Sequence, residues 1–139
     1  MQYKTLGNVI AARLEIGEEI IACVKEICEK EKVKSAVIHA IGAVKSAKIA
    51  MFDFSTGAYK ENEIDRFMEL TSLDGNVTKM DGETYIHLHA NFGDEDGRAL
   101  GGHLKEAVIG ATCEIFIFTL SEEIKRIHDE NTGLNIFSL

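Results

Sequence analysis

Apolar and polar residues follow a helical spacing in one segment near the start of the chain. After Gly17, apolar residues recur every three or four positions, and charged residues occupy the other side. The apolar set is Ile20, Ile21, Val24, Ile27 and Cys28. Acidic residues at the start of this segment and lysines at its end suit the helix dipole. We therefore predict a packing helix over residues 18–32, not a recognition helix.

The chain after this helix has the pattern of β-strands. Short apolar runs end at turn signals, and Asp81-Gly82 predicts a hairpin turn. The predicted strands are 35–40, 47–54, 67–73, 84–91, 98–104 and 111–120, with turn signals at 55–57 and 74–76. Residues 121–128 are predicted to form a second, shorter helix or a loop. The expected fold class is α/β (α+β), a largely antiparallel β-sheet with helical cover on one face.

Length and composition indicate one globular unit. With 139 residues, of which 45% are hydrophobic and 27% charged, we expect residues 1–139 to form a single domain. No stretch approaches the roughly 20 apolar residues of a membrane helix, and the start lacks a basic region followed by an apolar one. We therefore expect a cytoplasmic protein that does not bind membranes.

The three cysteines indicate a reducing compartment rather than a disulfide framework. Their number is odd, and no two of Cys23, Cys28 and Cys113 form a Cys-x-x-Cys pair. We interpret them as small core residues, with a reactive thiol as the alternative.

The charge balance argues against general nucleic-acid binding. The chain has 15 Lys and Arg against 23 Asp and Glu, a net charge of −8. Binding to phosphate backbones relies on concentrated positive charge. The densest basic run, residues 30–34, alternates with Glu31 and Val33 and makes only a weak patch.

Histidines provide the best candidate chemistry. Side chains alternate across a strand, so His87 and His89 point to one face of a predicted strand and could share one metal ion. His103 follows Gly101-Gly102, where missing side chains allow a backbone or a ligand to come close. Three neutral imidazoles suit zinc and leave a fourth position for water or substrate. The spacing alone also allows three unrelated histidines in the core or facing solvent.

Other candidate sites carry less chemistry. His39 and His128 stand alone, and we interpret them as ordinary histidines. The acidic run at residues 94–96 could bind a hard cation, although an acidic loop tip is usually only solvated. The chain has neither a phosphate-binding Gly-x-x-x-x-Gly-Lys-Ser/Thr loop nor a Gly-x-Ser-x-Gly elbow.

Several short segments, in order and spacing, resemble the PPC (plants-and-prokaryotes-conserved) domain of the stand-alone prokaryotic type, whose members often carry a provisional DNA-binding label. The resemblance spans nearly the whole chain. Its segments are Arg13 to Glu19, Ile41-Gly42-Ala43, Glu69 with residues 72–76, His87-Leu88-His89, Gly93-Asp94, Asp96-Gly97-Arg98, residues 101–104 and Thr132-Gly133-Leu134.

This resemblance implies a fold, an assembly and a metal. It implies an antiparallel sheet, a homotrimer, and a metal, zinc or another divalent transition metal, on His87, His89 and His103. Plant relatives grip DNA with a separate basic AT-hook around Arg-Gly-Arg-Pro. This chain has no such motif and no proline, so we expect weak or no direct DNA binding by the isolated domain and a regulatory or DNA-associated role through a partner.

The family fold also looks like that of acetolactate decarboxylase, which implies an alternative function. In this alternative the protein is a metal-dependent, decarboxylase-like lyase acting on a small anionic metabolite. Glu69 would serve as acid or base, and Arg98 or Arg13 would anchor the anion. As ordinary residues, Glu69 would be a strand carboxylate and the arginines would form surface or interface salt bridges.

Overall fold

One nine-stranded sheet dominates the computed structural model, which describes all of residues 1–139. Every strand pair is antiparallel except a single parallel contact between Lys79 and Lys125. The elements in chain order are β1 (Gln2–Leu6), β2 (Val9–Leu14), α1 (Ile20–Lys30), β3 (Ser35–Asp53), β4 (Ala58–Ile64), β5 (Met68–Met80), β6 (Glu83–Gly93), β7 (Ala99–Leu120), β8 (Lys125–Asp129) and β9 (Leu134–Ser138). The expected antiparallel sheet is confirmed, but its helical cover is minor because α1 is the only helix.

Helix α1 is two residues shorter at each end than the pattern predicts. Glu19 is its N-cap, and the Glu19 carboxylate accepts hydrogen bonds from the backbone N–H groups of Ile21 and Ala22. Lys32 ends it with a left-handed backbone, φ 53°. The apolar side of α1 is buried in the core. At 11 residues, α1 is too short to cross a membrane.

Two strands are much longer than predicted and form the backbone of the sheet. Strand β3 joins two predicted strands, as does β7, and the two pair along most of their lengths with several register shifts. Such β-bulges bend a strand without ending it. Hydrophobic alternation breaks at a bulge, and that break resembles a strand end in the sequence.

The turn predicted at residues 74–76 is wrong, because this segment lies inside β5. Gly75 has a different reason to be glycine. An added Cβ at Gly75 would lie 2.0 Å from the His87 carbonyl oxygen on neighbouring β6, so the two strands approach too closely for a side chain. The predicted turn at 55–57 and the Asp81-Gly82 hairpin turn are confirmed, and both hairpin residues have positive φ.

Of the two alternatives predicted for residues 121–128, the helix is wrong, and the loop holds only for residues 121–124. This segment leads into β8, which forms an antiparallel hairpin with β9. Asp129 closes the turn by accepting hydrogen bonds from Thr132, and Gly133 adopts φ 71°. The hairpin lies beside β5, and this position brings β8 and β9 to the site described below.

The two faces of the sheet differ in burial. One face packs against α1 and forms the core, with the three cysteines buried there as free thiols. The opposite face carries exposed apolar side chains on β3 and β7, which we call the outer apolar face. Its members are Val37, Ile41, Phe116, Phe118 and Leu120, each 41–51% exposed.

Candidate metal centre and cavity

Three histidines meet on two adjacent strands. His87 and His89 alternate along β6 with Ile86, which packs against the core, and with the buried Leu88, so both imidazoles leave the sheet on the side away from the core. His103 lies on β7 directly opposite His89 in the antiparallel register. The pairing therefore brings together residues that are distant in sequence.

The ring nitrogens are close enough to share one ion. One nitrogen from each of His87, His89 and His103 lies within 4.8 Å of the others. The Nε2 atoms of His87 and His89 are 3.2 Å apart. Two nitrogen ligands at about 2.0–2.1 Å from a tetrahedral zinc ion are separated by about 3.3–3.4 Å. The geometry therefore fits a metal as well as it fits a hydrogen bond between the two rings.

Burial keeps two of these imidazoles neutral. Burial lowers the pKa of His103 to about 4, helped by nearby His87, Lys105 and His89. Burial, followed by the charge of Arg126, also lowers the pKa of His87. Only a neutral imidazole can coordinate a metal. The buried Nδ1 of His103 has no hydrogen-bond partner, which fits a nitrogen available to coordinate a metal.

Two glycines before His103 let its strand fit between its neighbours. A Cβ at Gly102 would lie 2.8 Å from the Ala50 carbonyl oxygen on β3, and a Cβ at Gly101 would lie 2.2 Å from the Asn91 side-chain oxygen on β6. Both distances are too short for real Cβ contacts. The close approach expected at Gly101-Gly102 is therefore present, and it involves a neighbouring backbone at Gly102.

The histidines line a cavity of about 630 Å³, which is a typical size for a small-molecule site. Tyr59 of β4 stacks on His103 with ring centroids 5.0 Å apart. The Nζ atom of Lys105 lies 4.1 Å from the centre of the Tyr59 ring. The apolar wall comes from β3 and the β8–β9 hairpin. Its side chains include Met51, Phe52, Leu134, Ile136 and Phe137.

Arg126 is the one arginine in this cavity, and it is only 7% exposed. Its guanidinium donates to Thr78 Oγ1 at 2.9 Å, to Asn76 Oδ1 at 2.8 Å and to the Asn135 carbonyl oxygen. Nη2 of Arg126 is also 3.5 Å from Nδ1 of His87. A buried cation therefore lies beside the histidine cluster.

The other residues considered from sequence lie elsewhere. Glu69 is on β5 and lines a different cavity, with Ile41 and Phe67. Arg98 is exposed and pairs with Asp96 at 3.4 Å, within the acidic loop. Neither side chain lines the histidine cavity.

The remaining candidates are also outside the cluster. Arg13 is exposed and pairs with Glu15. His39 contacts Asp74 at the surface, and His128 contacts Asn135. The cluster therefore contains His87, His89 and His103 alone.

Sequence reasoning did not identify Arg126, Tyr59 or Tyr85 as cavity residues. Arg126 falls in the segment predicted as a helix or loop, and nothing in the run Lys125-Arg126-Ile127-His128 marks one basic residue as buried. The signal that could have helped is the Thr132-Gly133 turn, which predicts a terminal hairpin. Tyr59 lies in no recognisable motif, whereas Tyr85 is two residues before His87 on the same predicted strand, so the alternation of side chains places it on the histidine face.

Several solved structures are closely related to this chain, among them one from Bacteroides thetaiotaomicron and one from Archaeoglobus fulgidus. A crystal structure of a protein from Bacteroides thetaiotaomicron, provisionally named DNA-binding, is 31% identical with a TM-score of 0.95, covering 99% of this chain and 96% of that one. A metal-containing protein from Archaeoglobus fulgidus is 33% identical with a TM-score of 0.90, covering 100% and 99%. No match was found among curated protein sequences.

A more distant likeness concerns the fold alone. Acetolactate decarboxylase from Bacillus subtilis is 19% identical with a TM-score of 0.60, and the match covers 84% of this chain and about half, 54%, of that enzyme.

The family comparison is more specific. The family model for the Plants and Prokaryotes Conserved (PCC) domain matches residues 1–121, which excludes the β8–β9 hairpin and Arg126. The chain belongs to the Plants and Prokaryotes Conserved domain family.

Proposed function

We propose that this protein binds one divalent transition metal, zinc, through His87, His89 and His103. The observation that carries this proposal is the convergence of three ring nitrogens within 4.8 Å of one another. The metal-containing relative from Archaeoglobus fulgidus supports the presence of an ion. Imidazole is a good ligand for zinc, although it also suits copper, nickel and iron, so zinc is the finer part of the proposal.

The open side of the cluster supports a role in binding a ligand rather than a purely structural role. Structural zinc sites usually have four protein ligands, whereas three ligands leave a position for water or another molecule. Here that side is the cavity of about 630 Å³. A zinc ion bound there would supply a Lewis acid to whatever occupies the cavity.

Elemental analysis of the protein purified without added metal tests the proposal. We expect about one ion per chain, predominantly zinc, as for a three-histidine site. Anomalous scattering from crystals, measured on both sides of the zinc edge, should place the signal between the three imidazoles. A chelator-stripped sample that fails to take up zinc would contradict the proposal.

The proposed assembly is a homotrimer. The outer apolar face supports association because five large side chains, each at least 41% exposed, form a patch that a solitary chain would leave in water. The proposed role is regulatory or DNA-associated, acting through a partner, because a chain with net charge −8 lacks the concentrated positive charge that direct binding needs.

A second candidate function is a metal-dependent lyase acting on a small anionic metabolite. The observation that favours it is the cavity beside the histidine cluster, in a position where a bound ligand could contact the metal. The catalytic roles expected for Glu69 and Arg98 stay predictions. Within one chain both side chains lie outside this cavity, so Arg126 is better placed than Arg98 to contact an anion there.

A further inference from the structure

Arg126 is a buried cation without an acidic partner. Its hydrogen-bond acceptors are a hydroxyl of Thr78, an amide oxygen of Asn76 and the backbone carbonyl of Asn135, with a longer 3.5 Å contact to Nδ1 of His87, and none of them carries a negative charge. No carboxylate forms an ion pair with it. Burying a charge without an opposite charge is costly, and buried charges in proteins are usually paired.

Two aromatic rings hold the guanidinium in place. Its carbon atom lies 4.8 Å from the centre of the Tyr85 ring and 4.6 Å from the centre of the Phe137 ring. Rings at these distances stabilise a cation and restrict the orientation of its plane. The hydrogen bonds to these three oxygens use three of the five N–H groups, and a fourth, on Nη2, lies 3.5 Å from Nδ1 of His87. A carboxylate that displaces this long contact to His87 would find one N–H group free on each of Nη1 and Nη2.

The cavity that contains Arg126 has no acidic residue in its wall, although the protein carries 23 Asp and Glu. Its other ionisable groups are the three histidines and two tyrosines, Tyr59 and Tyr85. A divalent ion on the histidines would add two positive charges a short distance from the guanidinium. The interior of this cavity therefore favours an anion, in contrast to the rest of this acidic chain.

The chemistry of the wall narrows the class of anion. Half of the sixteen residues that line the cavity are hydrophobic, and they include Phe52, Leu134, Ile136 and Phe137. Inorganic phosphate would leave these side chains uncovered. A planar guanidinium fork matches the two oxygens of a carboxylate.

We propose that the cavity binds a small organic carboxylate, with the carboxylate group on Arg126 and an apolar portion against the wall formed by β3 and the β8–β9 hairpin. This inference rests on the proposed metal site, which adds to the attraction for the anion. It names the ligand class and assigns Arg126 as its anchor. The hairpin that supplies Arg126 and Phe137 then determines which ligands bind.

A purely structural role for Arg126 is the competing explanation. Its hydrogen bonds connect β8 to Asn76 and Thr78 of β5, so the side chain also attaches the hairpin to the sheet. A structural clamp would affect folding without recognising anions. The two roles are separated by measuring ligand binding and metal content on the same folded variants.

The experiment titrates zinc-loaded protein with butyrate, with its neutral isostere butyramide and with inorganic phosphate. We expect butyrate to bind, and butyramide and phosphate each to bind at least about tenfold more weakly, since a desolvated charge pair carries the affinity. Arg126→Gln should weaken butyrate binding at least about tenfold while retaining the wild-type zinc content. Lys125→Gln removes one positive charge from the adjacent, exposed position and should change neither quantity.

Three outcomes of these titrations would overturn the inference. Equal butyrate affinity in Arg126→Gln and wild type would assign the binding to the metal alone. Tighter binding of phosphate than butyrate would refute the carboxylate class, and failure of the wild type to bind any of the anions would refute the anion site.

Two further measurements keep the result independent of folding and of the metal. If Arg126→Gln does not fold, Arg126→Lys keeps the charge without the fork and should still lose most butyrate affinity. In wild-type protein, the Arg126 Nε–Hε resonance should shift with butyrate and not with butyramide, in both zinc-loaded and metal-stripped samples. Absence of zinc uptake together with a butyrate-dependent shift would reject the proposed metal function and keep the anion site. No shift in either sample would reject the anion site.

Discussion

His89 of β6 and His103 of β7 lie directly opposite each other in an antiparallel ladder, with ring centroids 5.5 Å apart. Opposite residues in such a ladder leave the sheet on the same face. His87 is on that face as well, two positions before His89. The histidine cluster therefore depends on strand register, and a one-residue slip between β6 and β7 would turn His103 away from the other two.

Gly102→Ala should weaken metal binding, because its methyl group would lie 2.8 Å from the Ala50 carbonyl oxygen and force β7 to shift at His103. We expect a loss of about 1–3 kcal/mol in unfolding free energy and a reduced zinc affinity. Denaturant unfolding and a competitive zinc titration measure the two effects.

Gly7→Ala is the matched control for this substitution. Gly7 has φ 63° and open space around a Cβ, so alanine there costs stability through backbone strain, away from the histidines. Zinc affinity should be unchanged in the control. Equal zinc affinity in both variants would show that the close contact at Gly102 does not position His103.

The stability of the metal-free protein should depend on His103 between about pH 6.5 and pH 4. The pKa of His103 is lowered to about 4 in the folded chain, against about 6.5 for a free imidazole. In this window the unfolded chain binds a proton that the folded chain does not, so the free energy of unfolding decreases as the pH falls.

His103→Gln removes this contribution, so its unfolding free energy should fall less steeply over the same pH window. His128→Gln, at an exposed histidine outside the cluster, is the control and should follow the wild-type slope. Urea unfolding at several pH values measures these slopes. A His103→Gln slope as steep as that of the wild type would contradict the pKa assigned to His103.

The proposed trimer should depend on the outer apolar face. Phe116 and Phe118 are adjacent aromatic side chains on this face, with ring centroids 6.3 Å apart, and each is more than 40% exposed. Phe118→Asp should dissociate the assembly, because burying an unpaired carboxylate in an apolar contact is unfavourable. Ile16→Asp, at a 69% exposed residue outside the patch, should leave the assembly intact.

Light scattering during size-exclusion chromatography gives the mass directly. A wild-type mass equal to that of the 15.4 kDa chain over a wide concentration range would refute the trimer. A trimer that persists in Phe118→Asp would place the interface elsewhere.

Direct DNA binding by this domain should be weak. The net charge of −8 opposes association with a phosphate backbone. Titration of a labelled A·T-rich duplex at physiological salt should give no saturation below micromolar protein concentrations. Sub-micromolar, sequence-selective binding by the isolated domain would contradict the expectation.

The sequence carries enough information to predict the local elements of this fold. The apolar spacing of α1, the Asp81-Gly82 hairpin turn and the alternation around His87 and His89 are short-range signals, and each appears in the structure close to its expected place. Prediction from sequence fails where a residue type is required by a tertiary contact and not by the local backbone conformation. Gly75 is a turn signal by composition, yet it lies in a strand that packs closely against His87.

The same limit applies to the cavity. The His-x-His spacing identifies two candidate ligands, but the register that brings His103 opposite His89 is a long-range property. Arg126 is harder still to identify, because its burial depends on Tyr85 and Phe137 from two other strands. A basic residue beside another basic residue gives no sign of such an environment.

Zinc content of single histidine variants tests the central claim most directly. His87→Ala, His89→Ala and His103→Ala each remove one of three ligands, so each should lose most of the bound metal after chelator treatment and reloading with zinc. His39→Ala and His128→Ala, outside the cluster, are the controls and should retain about one ion per chain. Elemental analysis of the five folded variants gives the result. Loss confined to the three cluster variants is predicted, and full zinc occupancy in His89→Ala would contradict the proposed site.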